Sequence, residues 1–270
     1  VFGGNKITEN KTVIEEKPQE IKQETVDINT DNFQKIINLN IDTLVEFKEH
    51  IFNEISENKF EELVESISQN GVLDPIIVRK SIDNKYEIIA GHNRVRACKT
   101  LNMQTVPATI KNVDDDTAKL IMIDTNINRR DKLLPSELMK AYSMKMEILK
   151  KVKFGHDVQN GENPTESRDT REKLAEQEKL SGRQIGRYLR LKELIPDILR
   201  CVDKDLIPLL AGVELSYLKE QDQQTILSIL NDNPTIKISV KQAEMLKNKK
   251  EQLTEDYILD VLNKKTAKQK

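Results

Sequence analysis

Residues 88–97 have the sequence IIAGHNRVRA, in which an apolar run ends at Gly91 and two arginines follow. The apolar residues before the glycine predict a strand, and the residues after it predict the start of a helix. A helix N-terminus reached through a glycine offers free backbone N–H groups, and Arg94 and Arg96 beside it suit a phosphate. The same pattern fits a strand–turn–helix corner with solvated arginines, so both interpretations remain open here.

The segments around this stretch predict a small domain of alternating strands and helices. Apolar residues recur at helical spacing between Lys59 and Asn70, and Gly71 follows as a helix stop. Short apolar runs predict strands, with a turn at residues 83–84 between two of them. These runs cover residues 36–41, 75–78, 86–89 and 106–110. The alternation predicts an α/β domain with a mixed sheet.

The composition favours a helical, modular protein of about two domains, because 33% of the 270 residues are charged, 4% are aromatic and none is Trp. The formal net charge of −2 means that any contact with nucleic acid must come from a local basic patch. Cys98 and Cys201 imply no disulfide framework, and the histidines share no metal-ligand spacing. No run is long enough to cross a membrane and no signal peptide is visible, so we expect a cytoplasmic protein without a membrane partner.

Residues 171–191 have the pattern of a helix-turn-helix. A turn near residues 179–180 leads to Ser181, a good N-cap for a second helix with an apolar face. The other face of that helix carries polar and cationic side chains that suit a DNA groove. The expected DNA contacts are Ser181, Arg183, Gln184, Arg187 and Arg190. Taken alone, the pattern fits an amphipathic helix with a solvated basic face equally well.

Taken in order, these segments resemble the ParB family of partition proteins. The matching segments are FEELVESI at residues 60–67, GVLDPIIVR at residues 71–79, the corner at residues 88–97, and DTNINRR at residues 124–130. The resemblance runs from about Leu39 to Leu218. It implies an α+β fold, with a small mixed α/β ParB/sulfiredoxin-like N-terminal domain followed by an all-α helix-turn-helix domain. The segments after the second helix resemble the form of the family found on plasmids and mobile elements.

The resemblance implies that the N-terminal domain binds CTP and that the nucleotide closes a homodimer clamp on double-stranded DNA. The phosphate box corresponds to Gly91, His92, Asn93, Arg94 and Arg96. The second box corresponds to Asn126 with Arg129 or Arg130. The loop that would face the base contains Gly71, Leu73, Asp74 and Pro75. Within the phosphate box Arg94 matches an arginine of the family, whereas His92 and Asn93 replace its Glu and its first Arg.

Nucleotide hydrolysis is expected to be slow or absent. Thr125 stands where the family has a Glu that helps to hold Mg²⁺. Hydrolysis needs a metal held by a carboxylate and a positioned water. Asp124 is the neighbouring candidate for a Mg²⁺ ligand, although on a helix it would point elsewhere. The acidic run at residues 114–116 suits the cap of the following helix better than a metal.

We divide the chain into a flexible tail (residues 1–35), the α/β domain (36–112), a helical extension with a hinge loop (113–165), the helix-turn-helix domain (166–232) and a C-terminal helical segment (235–270). Apolar positions at helical spacing between residues 238 and 262 suit either a dimer contact or packing on their own domain. The resemblance implies DNA, a second copy of the chain and a ParA-type ATPase as partners.

The favoured function is a nucleotide-responsive DNA-binding protein for plasmid or mobile-element partition, associated with the nucleoid or plasmid. An enzyme on the same fold, a small-molecule kinase or nucleotide hydrolase, would use Arg94, Asp124 and the acidic run. Such an enzyme has no need for the basic helix at residues 183–190. A transcriptional regulator without a nucleotide switch and a protein-interaction adaptor are further alternatives.

Overall fold

The strand that ends before Gly91 lies inside a five-stranded mixed sheet. This computed structural model describes residues 35–154 and 164–263. The strands are β1 (Ile36–Asn40), β2 (Leu44–Glu46), β3 (Ile76–Lys80), β4 (Tyr86–Ala90) and β5 (Thr105–Ile110), in the spatial order β1-β5-β3-β4-β2. β3 is antiparallel to β4 and parallel to β5, whereas β1 is antiparallel to β5 and β2 is parallel to β4. The predicted mixed sheet is confirmed.

Helices cover both faces of this sheet because β4 is apolar on both sides. The covering helices are α1 (Glu57–Asn70), α2 (His92–Thr100), α3 (Asp115–Arg129) and α4 (Pro135–Phe154). Successive residues of a strand point to opposite faces. Ile88 packs in one cluster with Phe60 of α1, whereas the neighbouring Ile89 packs in another with Met122 of α3. The corner after β4 is therefore held between two helical layers.

Two turns of this domain require positive φ angles. The β3–β4 hairpin turns through Asp83 and Asn84 at φ 58° and 55°, the left-handed pair that tight hairpins favour. Gly91 joins β4 to α2 at φ 108°, and a Cβ there would lie 2.7 Å from Cγ2 of Ile76. A side chain at Gly91 would therefore be strained in its backbone and would collide with the core.

A second helical group packs on α4, opposite its contact with the sheet domain. It contains α5 (Pro164–Gln177) and α6 (Gly182–Arg190). The turn between these helices has Lys179 at φ 55°, and a small core of Tyr142, Leu174 and Ile185 joins them to α4. The loop predicted for residues 154–167 is shorter than expected, because α4 runs to Phe154 and α5 begins at Pro164.

The remaining helices form one hydrophobic cluster behind α6. They are α7 (Pro196–Asp203), α8 (Leu209–Leu215), α9 (Glu220–Asp232), α10 (Val240–Asn248) and α11 (Glu255–Asn263). Leu246 of α10 and Ile258 of α11 are buried in the same cluster as Ile198 of α7. The segment predicted as a separate C-terminal part therefore packs on its own chain, and the proposed boundary before residue 235 has no counterpart in this core.

Some sequence-based predictions fall outside the described residues. These are the flexible tail up to residue 34, the centre of the polar loop at residues 155–163, and the last residues, 264–270. None of the helices described above combines the length and the hydropathy that a membrane span requires. The fold class is confirmed: a mixed α/β domain is followed by helices alone.

Candidate functional site

A pocket of about 340 Å³ opens at the corner between β4 and α2. Its walls come from this corner, from α1, from α3 and from the segment after α1. Eight of the predicted nucleotide-binding residues line it: Asp74, Gly91, His92, Asn93, Arg94, Asn126, Arg129 and Arg130. Thr125 and His50 complete its polar lining. The structure thus brings together residues that are up to 80 positions apart, from His50 to Arg130.

The N-terminus of α2 points its free N–H groups at this pocket. Gly91 is the N-cap, and a glycine has no side chain that could accept from the N–H groups of the first turn. The first backbone N–H groups of a helix have no intrahelical partner and carry a partial positive charge. His92, Asn93 and Arg94 supply these groups and also line the pocket. The corner can therefore bind an anion through its backbone.

Arg94 fastens the segment after α1 to this corner. Its Nη1 donates to the carbonyl oxygens of Asp74 and Pro75, the latter at 2.9 Å. The carboxylate of Asp74 is in turn 3.2 Å from Nη1 of Arg129. Burial, and then the charge of Arg129, lower the pKa of the Arg94 guanidinium. Leu73, between these contacts, is 80% exposed and does not line the pocket.

Two imidazoles in contact, tilted at 46° to each other, close one side of the pocket. The rings of His50 and His92 lie 4.0 Å apart, centroid to centroid. Burial lowers the pKa of both to about 4; His92 also lowers that of His50, and Arg130 lowers both. Nε2 of His92 is 3.2 Å from a Glu46 carboxylate oxygen, but the angle makes no hydrogen bond, and this buried nitrogen has no partner among the described residues. Both rings are therefore neutral at pH 7.

Glu137 is a buried carboxylate that sequence reasoning missed. Its oxygens accept from the backbone N–H groups of Asn53 at 2.7 Å and Leu134 at 2.8 Å, and Arg130 lies 3.5 Å away. Glu137 thus joins the start of α4 to the segment before α1 and holds Arg130 beside His50. Asn53 and Glu137 are 84 residues apart in the sequence. The sequence therefore indicates only that Glu137 is an acid in the first turn of α4, and not that it contacts Asn53.

The side chains of Thr125 and Asn126 form hydrogen bonds with the backbone of their own helix. The Thr125 hydroxyl donates to the carbonyl of Ile121 at 2.5 Å, and the Asn126 amide donates to that of Met122 at 2.9 Å. Both residues line the pocket. Arg129 and Arg130 are the cations that α3 and its C-terminal end bring to the site.

Arg96 and Asp124 do not line this pocket. Arg96 lines an adjoining cavity of about 300 Å³ that shares His50, His92, Asn93 and Arg130 with it. The Arg96 guanidinium stacks on the Phe60 ring at 3.5 Å and pairs with Glu54. Asp124 pairs with Lys145 at 2.5 Å, which further pairs with Glu178. Helical geometry explains both, since neighbouring positions on a helix point in different directions. The described part of the chain contains no cluster of three His, Cys, Asp or Glu that could hold a metal.

The acidic run before α3 serves structural contacts. Asp114 caps the helix by accepting from the N–H of Thr117 at 2.8 Å, as predicted. Asp115 pairs with Arg79 at 2.7 Å, and Asp116 pairs with Lys151 at 3.0 Å. None of these three carboxylates lines the pocket. The acidic run therefore does not supply the acidic groups that the alternative of an enzyme at this site would use.

The basic face of α6 is narrower than predicted. Ser181 and Gln184 form a capping box, in which Ser181 Oγ accepts from the Gln184 N–H and the Gln184 carbonyl accepts from the Ser181 N–H. Arg190 is engaged by the end of α8: it donates to the hydroxyl and carbonyl of Ser216 at 3.1 and 2.7 Å. Arg183 is exposed and Arg187 is half-buried, so these two remain the cations available on this face.

Proteins of a known family are similar to this chain in sequence. The family model of the ParB N-terminal domain matches residues 23–127. A nucleoid occlusion protein of Listeria monocytogenes serotype 4b (strain CLIP80459) is 30% identical over 224 residues, which are 83% of this chain and 71% of that protein. The chain belongs to the ParB family.

Other relatives agree with this membership. A nucleoid occlusion protein of Lysinibacillus sphaericus (strain C3-41) is 38% identical to this ParB-family chain over 116 residues, 43% of this chain and 38% of that protein. The solved structure of a pNOB8-like ParB N-domain aligns with a TM-score of 0.52 at 18% identity, and covers 85% of this chain and 92% of that one. This likeness supports the ParB fold.

Proposed function

We propose that this ParB-family chain is a nucleotide-responsive DNA-binding protein whose pocket at the β4–α2 corner holds the phosphates of CTP. The observation that carries the proposal is the convergence of Arg94, Arg129 and Arg130 on the N-terminus of α2. Burial lowers the pKa of Arg94 and of Arg130, and the neighbouring acids Asp74 and Glu137 offset this only in part. A phosphate supplies that charge and accepts charge-assisted hydrogen bonds from the arginines and the helix N–H groups.

The polar groups of the pocket fit a phosphate better than a metal ion. Its donors are the N–H groups at the N-terminus of α2 and the guanidinium groups of the arginines that line it. The described residues contain no cluster of three His, Cys, Asp or Glu that could hold a metal. Mg²⁺ would therefore come with the nucleotide and be held by its phosphates. Because the Thr125 hydroxyl is committed to Ile121 and offers no carboxylate, we expect slow or absent hydrolysis.

Bound CTP would link two parts of the pocket that the protein now joins through its own contacts. Its triphosphate would lie between the α2 N-terminus and the arginines of α3. Arg94 would keep or exchange its contacts with the Asp74 and Pro75 carbonyls, which makes the segment after α1 sensitive to the ligand. The base would lie against that segment, where Gly71 ends α1 and Leu73 is exposed.

The second half of the proposal assigns sequence-specific DNA binding to α5 and α6 as a helix-turn-helix. Arg183 and Arg187 project from α6 without an ion pair among the described residues, and Gln184 is exposed beside them. Arginine and glutamine are side chains that read base edges in the major groove. α6 itself contains no acid, and Lys179 and Lys192 lie on either side of it in the sequence.

Two cellular roles are compatible with this activity. Partition of a plasmid or mobile element, with a homodimeric clamp and a ParA-type ATPase as partners, is the role that the sequence favours. The reported relatives are named nucleoid occlusion proteins, which favours a chromosomal, nucleoid-associated role as the second candidate. Mapping the protein on the host chromosome and on resident plasmids by chromatin immunoprecipitation distinguishes the two.

The nucleotide half is tested by calorimetry with each of the four ribonucleoside triphosphates, with Mg²⁺ and DNA present. Arg94→Gln is expected to abolish CTP binding, because Lys or Gln cannot replace a buried guanidinium on a phosphate. Arg96→Gln is the matched control: it removes the same charge from the same helix outside the pocket and is expected to keep CTP binding. Binding that depends on Arg96 and not on Arg94, or wild-type protein that binds no triphosphate, contradicts the assignment.

The DNA half is tested with duplex fragments from the protein's own replicon. Arg183→Ala and Arg187→Ala are each expected to weaken binding to the native site by about 1–3 kcal/mol, with different losses on different site variants. Arg200→Ala on α7, an exposed arginine paired with Asp197, is the charge-matched control. Native-site binding that survives both α6 substitutions would refute α6 as the reading helix.

A further inference from the structure

A cleft of about 310 Å³ lies between α4, α5 and the flank of α6, away from the nucleotide pocket. Its charged lining residues are Arg171, Lys150, Arg190, Lys192, Glu147 and Glu193. Cations therefore outnumber acids on its walls. Glu147 and Glu193 are both exposed, so solvent screens their charge. The cleft is electrically suited to an anion.

Arg171 is a cation of this cleft for which the described residues show no hydrogen bond or ion pair. It lies across α6 at its glycine: a Cβ at Gly186 would be 3.5 Å from Nη1 of Arg171. The Nε of Arg171 is buried and has no hydrogen-bond partner among the described residues. A guanidinium group that is short of acceptors is stabilised by an external anion. Arg171 lines the cleft, so an anion bound there would meet this group.

The cleft borders the side of α6 that would face the edge of a DNA groove. Gly186 and Arg190 line it, and Arg183 and Arg187 follow at helical spacing on the adjoining exposed face. A helix with its side chains is about 10–12 Å across and the major groove is about 12 Å wide. When such a helix fills the groove, its flanks meet the phosphate ridges.

We propose that this cleft receives a backbone phosphate of double-stranded DNA, with the guanidinium group of Arg171 on the cleft wall donating to a phosphate oxygen. The proposal rests on the DNA-binding function proposed above and adds a contact that the sequence did not predict. Lys192, which is exposed on the cleft wall, contributes charge to the same phosphate. Phosphate contacts fix the position of a protein on DNA but carry no base information. Arg171 is therefore a positioning contact, whereas Arg183 and Arg187 read sequence.

Arg171→Gln tests the contact. We expect about tenfold weaker binding at about 0.1 M salt, by the same factor on the native site, on its variants and on unrelated duplex DNA. The slope of log K against log salt should become less negative by about 1, since one phosphate contact is lost. Arg171→Lys keeps the charge without Nε and should fall between Arg171→Gln and the wild type.

Lys173→Gln is the matched control, because Lys173 is an exposed cation on the same helix and does not line the cleft. It is expected to bind like the wild type. Thermal unfolding of each variant identifies any loss of fold, and Arg171→Lys serves as the test variant if Arg171→Gln is unstable. Calorimetry with CTP and with inorganic phosphate should be unaffected by Arg171→Gln.

Three results would overturn the contact. One is wild-type affinity and salt slope for Arg171→Gln on every duplex. A second is a loss confined to one DNA sequence, which would make Arg171 a base reader. The third is loss of free phosphate or CTP binding with unchanged DNA binding, which would assign the cleft to a small anion. If the wild-type protein binds no duplex DNA, the proposed DNA-binding function is refuted, and the Arg171 contact with it. This outcome is distinguishable from the three above, in which the wild type does bind DNA.

Discussion

Gly91 combines two constraints in one residue of the pocket corner. Its φ is 108°, and a Cβ would lie 2.7 Å from Cγ2 of Ile76, which is fully buried. Gly91→Ala should lower the free energy of unfolding by at least about 2 kcal/mol, because backbone strain and overpacking add. Urea unfolding at neutral pH measures this loss.

Gly186→Ala provides the contrasting case. Gly186 is helical, and the nearest atom to a Cβ there is 3.5 Å away at the flexible end of Arg171. We expect this change to raise the free energy of unfolding by up to about 1 kcal/mol through helix propensity. An equal loss of stability in both variants would show that φ and the Ile76 contact do not decide the cost at Gly91.

The paired histidines His50 and His92 make stability depend on pH. The pKa of His50 and of His92 falls from 6.5 to about 4 in the folded protein, so between these values the unfolded chain binds more protons. Their contribution to stability is complete above about pH 6.5 and is lost as the pH falls toward 4. The free energy of unfolding, measured in urea across this range, should therefore decrease on acidification.

His50→Phe isolates this effect. A phenyl ring can keep the edge contact that His50 makes with Phe52, with centroids 6.1 Å apart, but it does not titrate. The variant should show a flatter pH dependence than the wild type between pH 6.5 and 4, although carboxylates still contribute. An identical pH profile would show that the imidazoles titrate alike in both states.

Single residues differ in how far the sequence could place them. Arg94 and Arg96 are two positions apart on α2, about 200° around the helix, so only one could reach the pocket. The same phase argument predicted that Asp124 would point away from Thr125. By contrast, the contact of Glu137 with Asn53 spans 84 residues and depends on how α4 docks. Helical phase is local, whereas docking is not.

At the scale of elements, the C-terminal helices are part of a core rather than an appendage. Leu246 is fully buried and Ile258 is 1% exposed, in the cluster that also holds α7 to α9. Leu246→Ala should reduce the free energy of unfolding by about 2–5 kcal/mol through lost burial and a cavity. Urea unfolding at fixed protein concentration measures it.

The neighbouring Met245 is half-buried and supplies the control, since Met245→Ala should cost less. Deletion from Ser239 onward should expose the cluster and unfold the helices after α6, in addition to any change in mass. A deletion variant that stays folded and merely turns from dimer to monomer would restore the dimer-contact interpretation. Sedimentation and circular dichroism on the same sample separate these results.

Elements were predictable where the pattern was local. The strands around Gly91, the helix that ends at Gly71 and the cap at Ser181 follow from spacing and turn residues, and the structure has them. The turn of Arg190 toward Ser216 was not predictable, because it depends on α8 lying beside α6. The basic face of α6 therefore looked wider in the sequence than it is in the structure.

At the scale of the whole molecule, α3 and α4 lie between the two proposed sites. α3 lines the nucleotide pocket with Thr125, Asn126 and Arg129. From another side of α3, Asp124 pairs with Lys145 of α4, and Lys145 pairs with Glu178 just after α5. Lys145 and Glu178 are 8% and 9% exposed, so this end of the ionic chain is buried, whereas Asp124 is 54% exposed. It forms a physical connection from the pocket to the helix pair.

If this connection couples the two sites, bound CTP changes the affinity for DNA by some factor. Bound DNA must then change the affinity for CTP by the same factor. The double variant Lys145→Gln/Glu178→Gln replaces the buried charges by amides of similar shape and should keep both bindings while bringing that factor toward one. Lys132→Gln, which removes an ion pair with Asp205 that is 73% and 76% exposed, should leave the factor unchanged. Titrations of CTP with and without DNA, and of DNA with and without CTP, give the factor from both directions. A factor that is unchanged in the double variant would mean that the coupling passes through contacts other than Lys145.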